Sequence, residues 1–334
     1  MLRAMLKIGL PIALVIAATC PAASDDASAL DQAAAGDETF DPDLHAHVLA
    51  LVDDEAREDI SASLEDAGAN WGELAAALAA LDGEQRAACA WLIGGMPHLD
   101  RLEMTAATLI EHVQYAFRTR DEMPYDVPVE MFEPYILTYR IEEEPVDPWR
   151  RELYDAYAPV ALAEGTIVAT ARALNSRLAR ALDEREWEFF GPRQSPLLTL
   201  ASGAGTNSEI AILACAMMKA VGIPSRQVAM RALRGESGGA SWIEVFDGAD
   251  WLPLYPLEPN AFGDFRHIER EHTDNVTVAA TRSAFERVLV TERYTETGTI
   301  EFTFVSGDEP AAGFEHFSVS VLGDGELVPL DALE

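Results

Sequence analysis

Gly205-Thr206-Asn207-Ser208-Glu209-Ile210 opens the stretch on which the reading of the whole chain depends. It continues through Gly222-Ile223-Pro224-Ser225-Arg226 and Ala240-Ser241-Trp242-Ile243-Glu244-Val245, and closes with Trp251-Leu252-Pro253-Leu254-Tyr255-Pro256 before Glu258-Pro259. Thr206 and Glu209 stand at the spacing of a capping box, in which a hydroxyl and a carboxylate satisfy orphan amides at a helix start. Behind them Ile210, Leu213, Ala214, Met217, Met218 and Val221 make the predicted helix apolar on most sides, as a buried central helix must be. Beyond Gly222, the runs 228–233, 241–246 and 251–254 read as strands, with turns at 235–239 and at Asp247-Gly248. Trp242, Glu244 and Phe246 then share one strand face.

The order of these pieces resembles the core of the transglutaminase-like superfamily: a cysteine-bearing helix, Gly-Ile-Pro-x-Arg, a histidine strand and an acidic strand. Upstream, Leu137-Thr138-Tyr139-Arg140-Ile141, Glu144-Pro145 and Trp149-Arg150 resemble an element that precedes this core in some bacterial members, with Thr138 where those have proline. The resemblance implies an α+β fold with a transglutaminase-like, papain-like core, an N-terminal helical region and a C-terminal antiparallel β domain. Arg140 and Arg150 are read as pairing with residues 142–144 and pinning the helical region to the core.

The resemblance also implies a site. In active relatives the helix dipole and a histidine depress the thiol pKa, the thiolate attacks, and an acid holds the histidine. Aligned on Gly222 the cysteine position is Asn207, aligned on Trp242 the histidine position is Ala240, and aligned on Trp251 the acid position is Tyr255. An amide offers no usable nucleophilic lone pair, and alanine cannot move a proton. Tyr255 weighs less, because the subfamily with the Tyr-Arg and Trp-Arg element already lacks the acid there. The reading is therefore a catalytically degenerate site, with Ser208, Ser241, Trp242 and Tyr255 as candidates for a groove that takes polypeptide in relatives. The alternative is a peptide or amide hydrolase using Ser208 as nucleophile, served by His267, His272 or His316 folding back.

The 334 residues carry a formal net charge of -33, which argues against nucleic acid and anionic lipid surfaces as partners, because both are polyanions. Arg3 and Lys7 precede an apolar run from Ile8 to Ala18, the layout of a secretory signal cleaved after Ala22 or Ala23; Cys20 offers lipid attachment as a second route. The expected organisation is a signal peptide over 1–22, a flexible tether over 23–40, a helical region over 41–122, the core over 123–270 and a β-rich domain over 271–334. The mature chain has no predicted membrane span. Localisation is expected to be periplasmic or extracellular, with a polypeptide or envelope protein as partner. No cofactor and no metal is expected: Asp41, Asp43, His45 and His47 scatter around a helix axis, and neither CxxC nor HExxH occurs. Cys89 and Cys215 lie in apolar helical patterns and are predicted to be free and buried. Residues 156–185 read as one long helical pattern.

Overall fold

The computed structural model describes residues 42–185, 193–232, 240–267, 275–283, 286–294, 305–306, 309–310, 320–323 and 326–329. The expected signal, tether and Cys20 lie outside these residues, as do the turn at 235–239, His272 and His316. Among the described residues six helices come first: α1 (Pro42–Ala50), α2 (Arg57–Asp66), α3 (Trp71–Ala80), α4 (Gly83–Gly94), α5 (His98–Glu103) and α6 (Ala106–Glu122). Their apolar seams meet in one cluster that includes Ile60, Leu64, Leu74, Leu78, Leu92 and Val113. α4 stops at the Gly94-Gly95 break, and Thr105 starts α6 by accepting the Thr108 amide on its hydroxyl. On α1, His45 is buried while Asp43 and His47 are exposed, so helical spacing separates these side chains. Among the described residues no group of three or more His, Cys, Asp or Glu is placed to hold a metal ion.

The pattern read as one helix over 156–185 is two helices, α7 (Trp149–Glu164) and α8 (Ile167–Ala181). Gly165 takes the left-handed conformation (φ 72°), and the Thr166 hydroxyl accepts the Ala169 amide to start the next helix. A glycine stop followed directly by a threonine cap overrides continued apolar periodicity. A short parallel pair, β1 (Asp183–Glu184) and β2 (Ala204–Gly205), brackets α9 (Pro196–Ser202) and leads into α10 (Asn207–Ala220). Every residue of α10 from Glu209 to Ala220 is buried. Burying a side chain such as Ile210 or Leu213 contributes about 1.5–3 kcal/mol, so this helix anchors the core.

α10 lies against a five-stranded antiparallel sheet in the order β5 (Trp251–Leu254), β4 (Ala240–Phe246), β3 (Ser225–Ala232), β6 (Asn275–Ser283), β7 (Glu286–Leu289). Helices and an antiparallel sheet in separate layers make this an α+β fold. Ile243, Val245 and Leu254 face the helices. Val228, Met230 and Trp242 form a second cluster on the other face with Tyr255, Ala280 and Tyr294. β6 joins the sheet beside β3, with Val228 opposite Ala280, so the sheet runs past residue 270, where the sequence reading ends the core. Farther on, β8 (Val305–Ser306) pairs β9 (Glu309–Pro310), and β10 (Ser320–Gly323) pairs β11 (Glu326–Pro329), both antiparallel.

Gly222 is where the chain leaves α10 for β3. Its φ is 74°, and a Cβ there would lie 3.2 Å from Thr119 Cβ in α6, so both backbone and space require glycine.

The pin between the helical region and the core exists, but through other acids than those expected. Arg140 Nη1 reaches both oxygens of Asp100 in α5, at 2.6 and 2.8 Å, and the Tyr139 hydroxyl donates to the same carboxylate. Arg150, fully buried, forms no ion pair among the described residues. It donates to the carbonyls of Ile136, Leu137, Thr138 and Lys219, and to His112 Nδ1. Carbonyls fixed by local structure satisfy a guanidinium without burying a second charge. Because Arg150 donates to Nδ1, His112 carries its proton on Nε2 and donates it to the Asp147 carbonyl. Burial and the Arg150 charge lower the His112 pKa to about 3. Glu142 pairs instead with Arg193 and Arg287.

Candidate functional site

The start of α10 is held from two sides. The Glu209 amide donates to Thr206 Oγ1 at 3.4 Å while the Glu209 carboxylate accepts the Thr206 amide at 2.9 Å, completing the predicted capping box. The second oxygen of Glu209 accepts the Gln194 amide at 2.8 Å, so one buried carboxylate also ties down the approach to α9. Gly205 allows the crowding: a Cβ there would lie 2.9 Å from Thr199 Cγ2.

Three of the residues singled out from sequence come together at this helix start. Asn207 Oδ1 accepts the Ser241 amide, from the second residue of β4, in a short hydrogen bond. Ser208 Oγ accepts from Gln227 Nε2 at 3.1 Å. Strand alternation then sends Ala240 and Trp242 to one face of the sheet and Ser241 to the other. Ala240 packs against the cluster that contains Trp242 and Tyr255. Asn207, Ser208 and Ser241 are half-buried, whereas Trp242 and Tyr255 are only 1% and 4% exposed. Trp242 donates its ring N–H to Tyr294 Oη at 3.0 Å, and Tyr255 donates its hydroxyl to the Asp264 carbonyl at 3.1 Å. Both aromatic rings are thus covered and engaged within the fold, and the serines stay partly exposed.

Two participants were not singled out as site residues. Gln227 is buried on β3, and its Oε1 has no hydrogen-bond partner among the described residues. Its sequence signal is a long polar side chain at an inward position of a buried strand. His267 enters the sequence reading only as a base for Ser208. Its ring lies 4.4 Å from that of Tyr255, with Nε2 3.0 Å from Glu258 Oε2. That pairing comes from the turn around Pro259–Ala261 and has no local signature.

Chemically, the helix start offers hydroxyls, amide groups and the positive end of a helix dipole. Cys215, the thiol of α10, lies fully buried near the middle of the helix, where burial raises its pKa and Ser225 Oγ is 3.3 Å away. A protonated, enclosed thiol is not a nucleophile. Cys89 is likewise free and buried, and burial raises its pKa. Among the described residues no helix is long and apolar enough to cross a membrane.

No curated protein is similar enough to the chain to count as a relative. A crystal structure from Cytophaga hutchinsonii, described as a candidate cysteine protease, shares 13% identity. The match covers 57% of this chain and 66% of that chain, just under two thirds of its length, with a TM-score of 0.33, a likeness too distant to carry an argument. The model of the transglutaminase-like superfamily matches residues 158–256, from within α7 to just past β5. That span contains the capped helix start, Gly222, the strand that bears Ala240 and, just past β5, Tyr255: residues 158–256 are a transglutaminase-like core.

Proposed function

We propose that this is an exported, catalytically degenerate transglutaminase-like protein that acts in the cell envelope as a polypeptide-binding or architectural module. One observation carries the reading: the side-chain carbonyl of Asn207, at the family's cysteine position, is engaged by the main chain of Ser241. That bond uses the helix start to join α10 to β4, a structural task, and Asn207 has no group that attacks a carbonyl. Ala240, at the family's histidine position, cannot relay a proton. A bound chain would lie over Asn207, Ser208 and Ser241, which are partly exposed.

The second reading, an amide hydrolase using Ser208, draws on the His267–Glu258 pair beside Tyr255. Against it, the hydrogen bond to Ser208 Oγ comes from Gln227, an amide that cannot take up a proton. The deciding experiment incubates purified full-length protein with fluorogenic peptide amides and with glutamine- and lysine-containing peptide pairs. Neither hydrolysis nor cross-linking is expected, and Ser208→Ala is expected to change nothing. Turnover that disappears in Ser208→Ala would establish the hydrolase instead.

A further inference from the structure

Outside the transglutaminase-like core, an open groove runs along α2 and α4. Two cavities of about 560 and 210 Å³ meet there and share Asp53, Ala56, Ala87 and Ala90. The floor is smooth for a reason written in the sequence. Gly83, Ala87, Ala90 and Gly94 recur at helical spacing, so α4 turns toward the groove a face without large side chains. Buried Ile60 and half-buried Trp91 add apolar surface at one end.

The rim is acidic. Asp53, Glu55, Asp59 and Glu133 are all exposed, and none has an ion-pair partner among the described residues. Elsewhere in the helical region some acids do find cations: Asp54 pairs with Arg57, Asp66 with Arg101 and Glu84 with Arg120. Arg86, the cation on the wall, donates its Nε to the Leu78 carbonyl at 3.0 Å and so reaches back along the bundle. The groove combines a narrow apolar floor with uncompensated negative charge.

We propose that this groove docks a cationic amphipathic helix of a partner protein, with its small or aliphatic face on α4 and its Lys and Arg side chains on the rim carboxylates. A helix can approach closely where the facing residues are glycine and alanine, and flanking cations then meet carboxylates on both sides. A second copy of this chain is a poor occupant, because its net charge of -33 repels itself. A small polycation would neutralise the rim but leave Ile60, Trp91 and the α4 face uncovered.

The test uses a fluorescein-labelled helical peptide about 18 residues long, five turns, with Lys on one face and Ala and Leu on the other. Full-length protein is titrated against it at low ionic strength, and anisotropy is read. Saturable binding is expected, weakened at least about tenfold by Asp53→Asn, Asp59→Asn and Glu133→Gln combined. Ala87→Phe, which fills the groove without changing charge, is expected to weaken it comparably while leaving the melting temperature unchanged. Absence of binding to the wild-type chain would overturn the proposal, as would equal binding by either variant. Equal binding of a scrambled peptide of the same composition would also overturn it, since charge alone would then suffice. Displacement by equimolar spermidine would assign the groove to a small polycation and likewise overturn it.

Discussion

Arg226 and Glu244 face each other across the β3–β4 ladder, and the guanidinium grips one carboxylate oxygen through Nε at 2.7 Å and Nη2 at 2.6 Å. The other oxygen of Glu244, a residue with no solvent exposure, accepts from Arg293 Nε at 3.0 Å and from the Tyr294 hydroxyl at 2.7 Å. Arg226 ends the Gly-Ile-Pro-x-Arg motif and Glu244 belongs to the Trp-x-Glu strand. The motif residues that signal the fold in the sequence thus bond to one another, and residues beyond β7 close the joint.

Glu244→Gln leaves two guanidinium groups around a neutral amide in a buried place. Removing one partner of such a pair costs about 3–5 kcal/mol, so urea unfolding should fall by that order. A loss under about 1 kcal/mol would mean water replaces the carboxylate at little cost.

The helix cap gives a graded pair of variants. Thr206→Ala removes one acceptor from the start of α10 and should cost about 1 kcal/mol. Glu209→Ala orphans the amides of both Thr206 and Gln194 and should cost more. Denaturant midpoints in the reverse order would contradict the cap geometry.

Glu144 predicts a pH dependence. Burial raises its pKa to about 7, opposed by the amides of Ile141 and Glu144 and by the charges of Arg140 and Lys219. A carboxyl whose folded pKa is raised contributes stability that is full below its ordinary value near 4.5 and lost as pH climbs through 7. Burial lowers Lys219 to about 8, and its contribution is present above the ordinary value of 10.5 and lost as pH falls through 8. Relative to wild type, Glu144→Gln should therefore gain stability between pH 4.5 and 7, by at most about 3 kcal/mol. Parallel stability curves for the two proteins across that window would contradict it.

Positional carry-over from the family can be tested by restoring it. The carry-over pairs position 240 with position 207, so in Asn207→Cys with Ala240→His the thiol at the helix start should react with iodoacetamide well below the ordinary thiol pKa of about 8.5. Asn207→Cys alone should react more slowly at the same acid pH. Identical pH profiles would mean that position 240 does not reach position 207.

Cys89 and Cys215 should resist alkylation in native protein and label in denaturant without a reductant, because both are free and enclosed. Labelling that required a reductant would point to a disulfide.

What the sequence disclosed was local. The cap at Thr206 and Glu209, the glycine exit at 222, the buried run of α10 and the strand 251–254 each depend on a few consecutive residues whose chemistry has one economical outcome. The split at Gly165 was also local, but apolar periodicity on both sides masked it. The remainder depends on distant pairing. Arg150 finds its carbonyls in the turn at 136–138, Arg140 finds Asp100 across forty positions, and β6 finds β3. No spacing rule anticipates such partners. At the site, the family alignment brought out Asn207 and Ala240, while Gln227 and the His267–Glu258 pair became visible only when strands and turns were set side by side.

The strand order 5-4-3-6-7 has a consequence for how this protein can be made or cut. β3 acquires β4 soon after it is synthesised, but its opposite flank waits for β6, which begins only at Asn275. A product ending at residue 256 would retain every signature motif of the family and still present a naked row of β3 amides and carbonyls, ready to pair with another chain. For this protein the smallest piece worth expressing completes that ladder and keeps Arg293 and Tyr294 on Glu244, so it extends through Tyr294, well past residue 256, where the superfamily match ends.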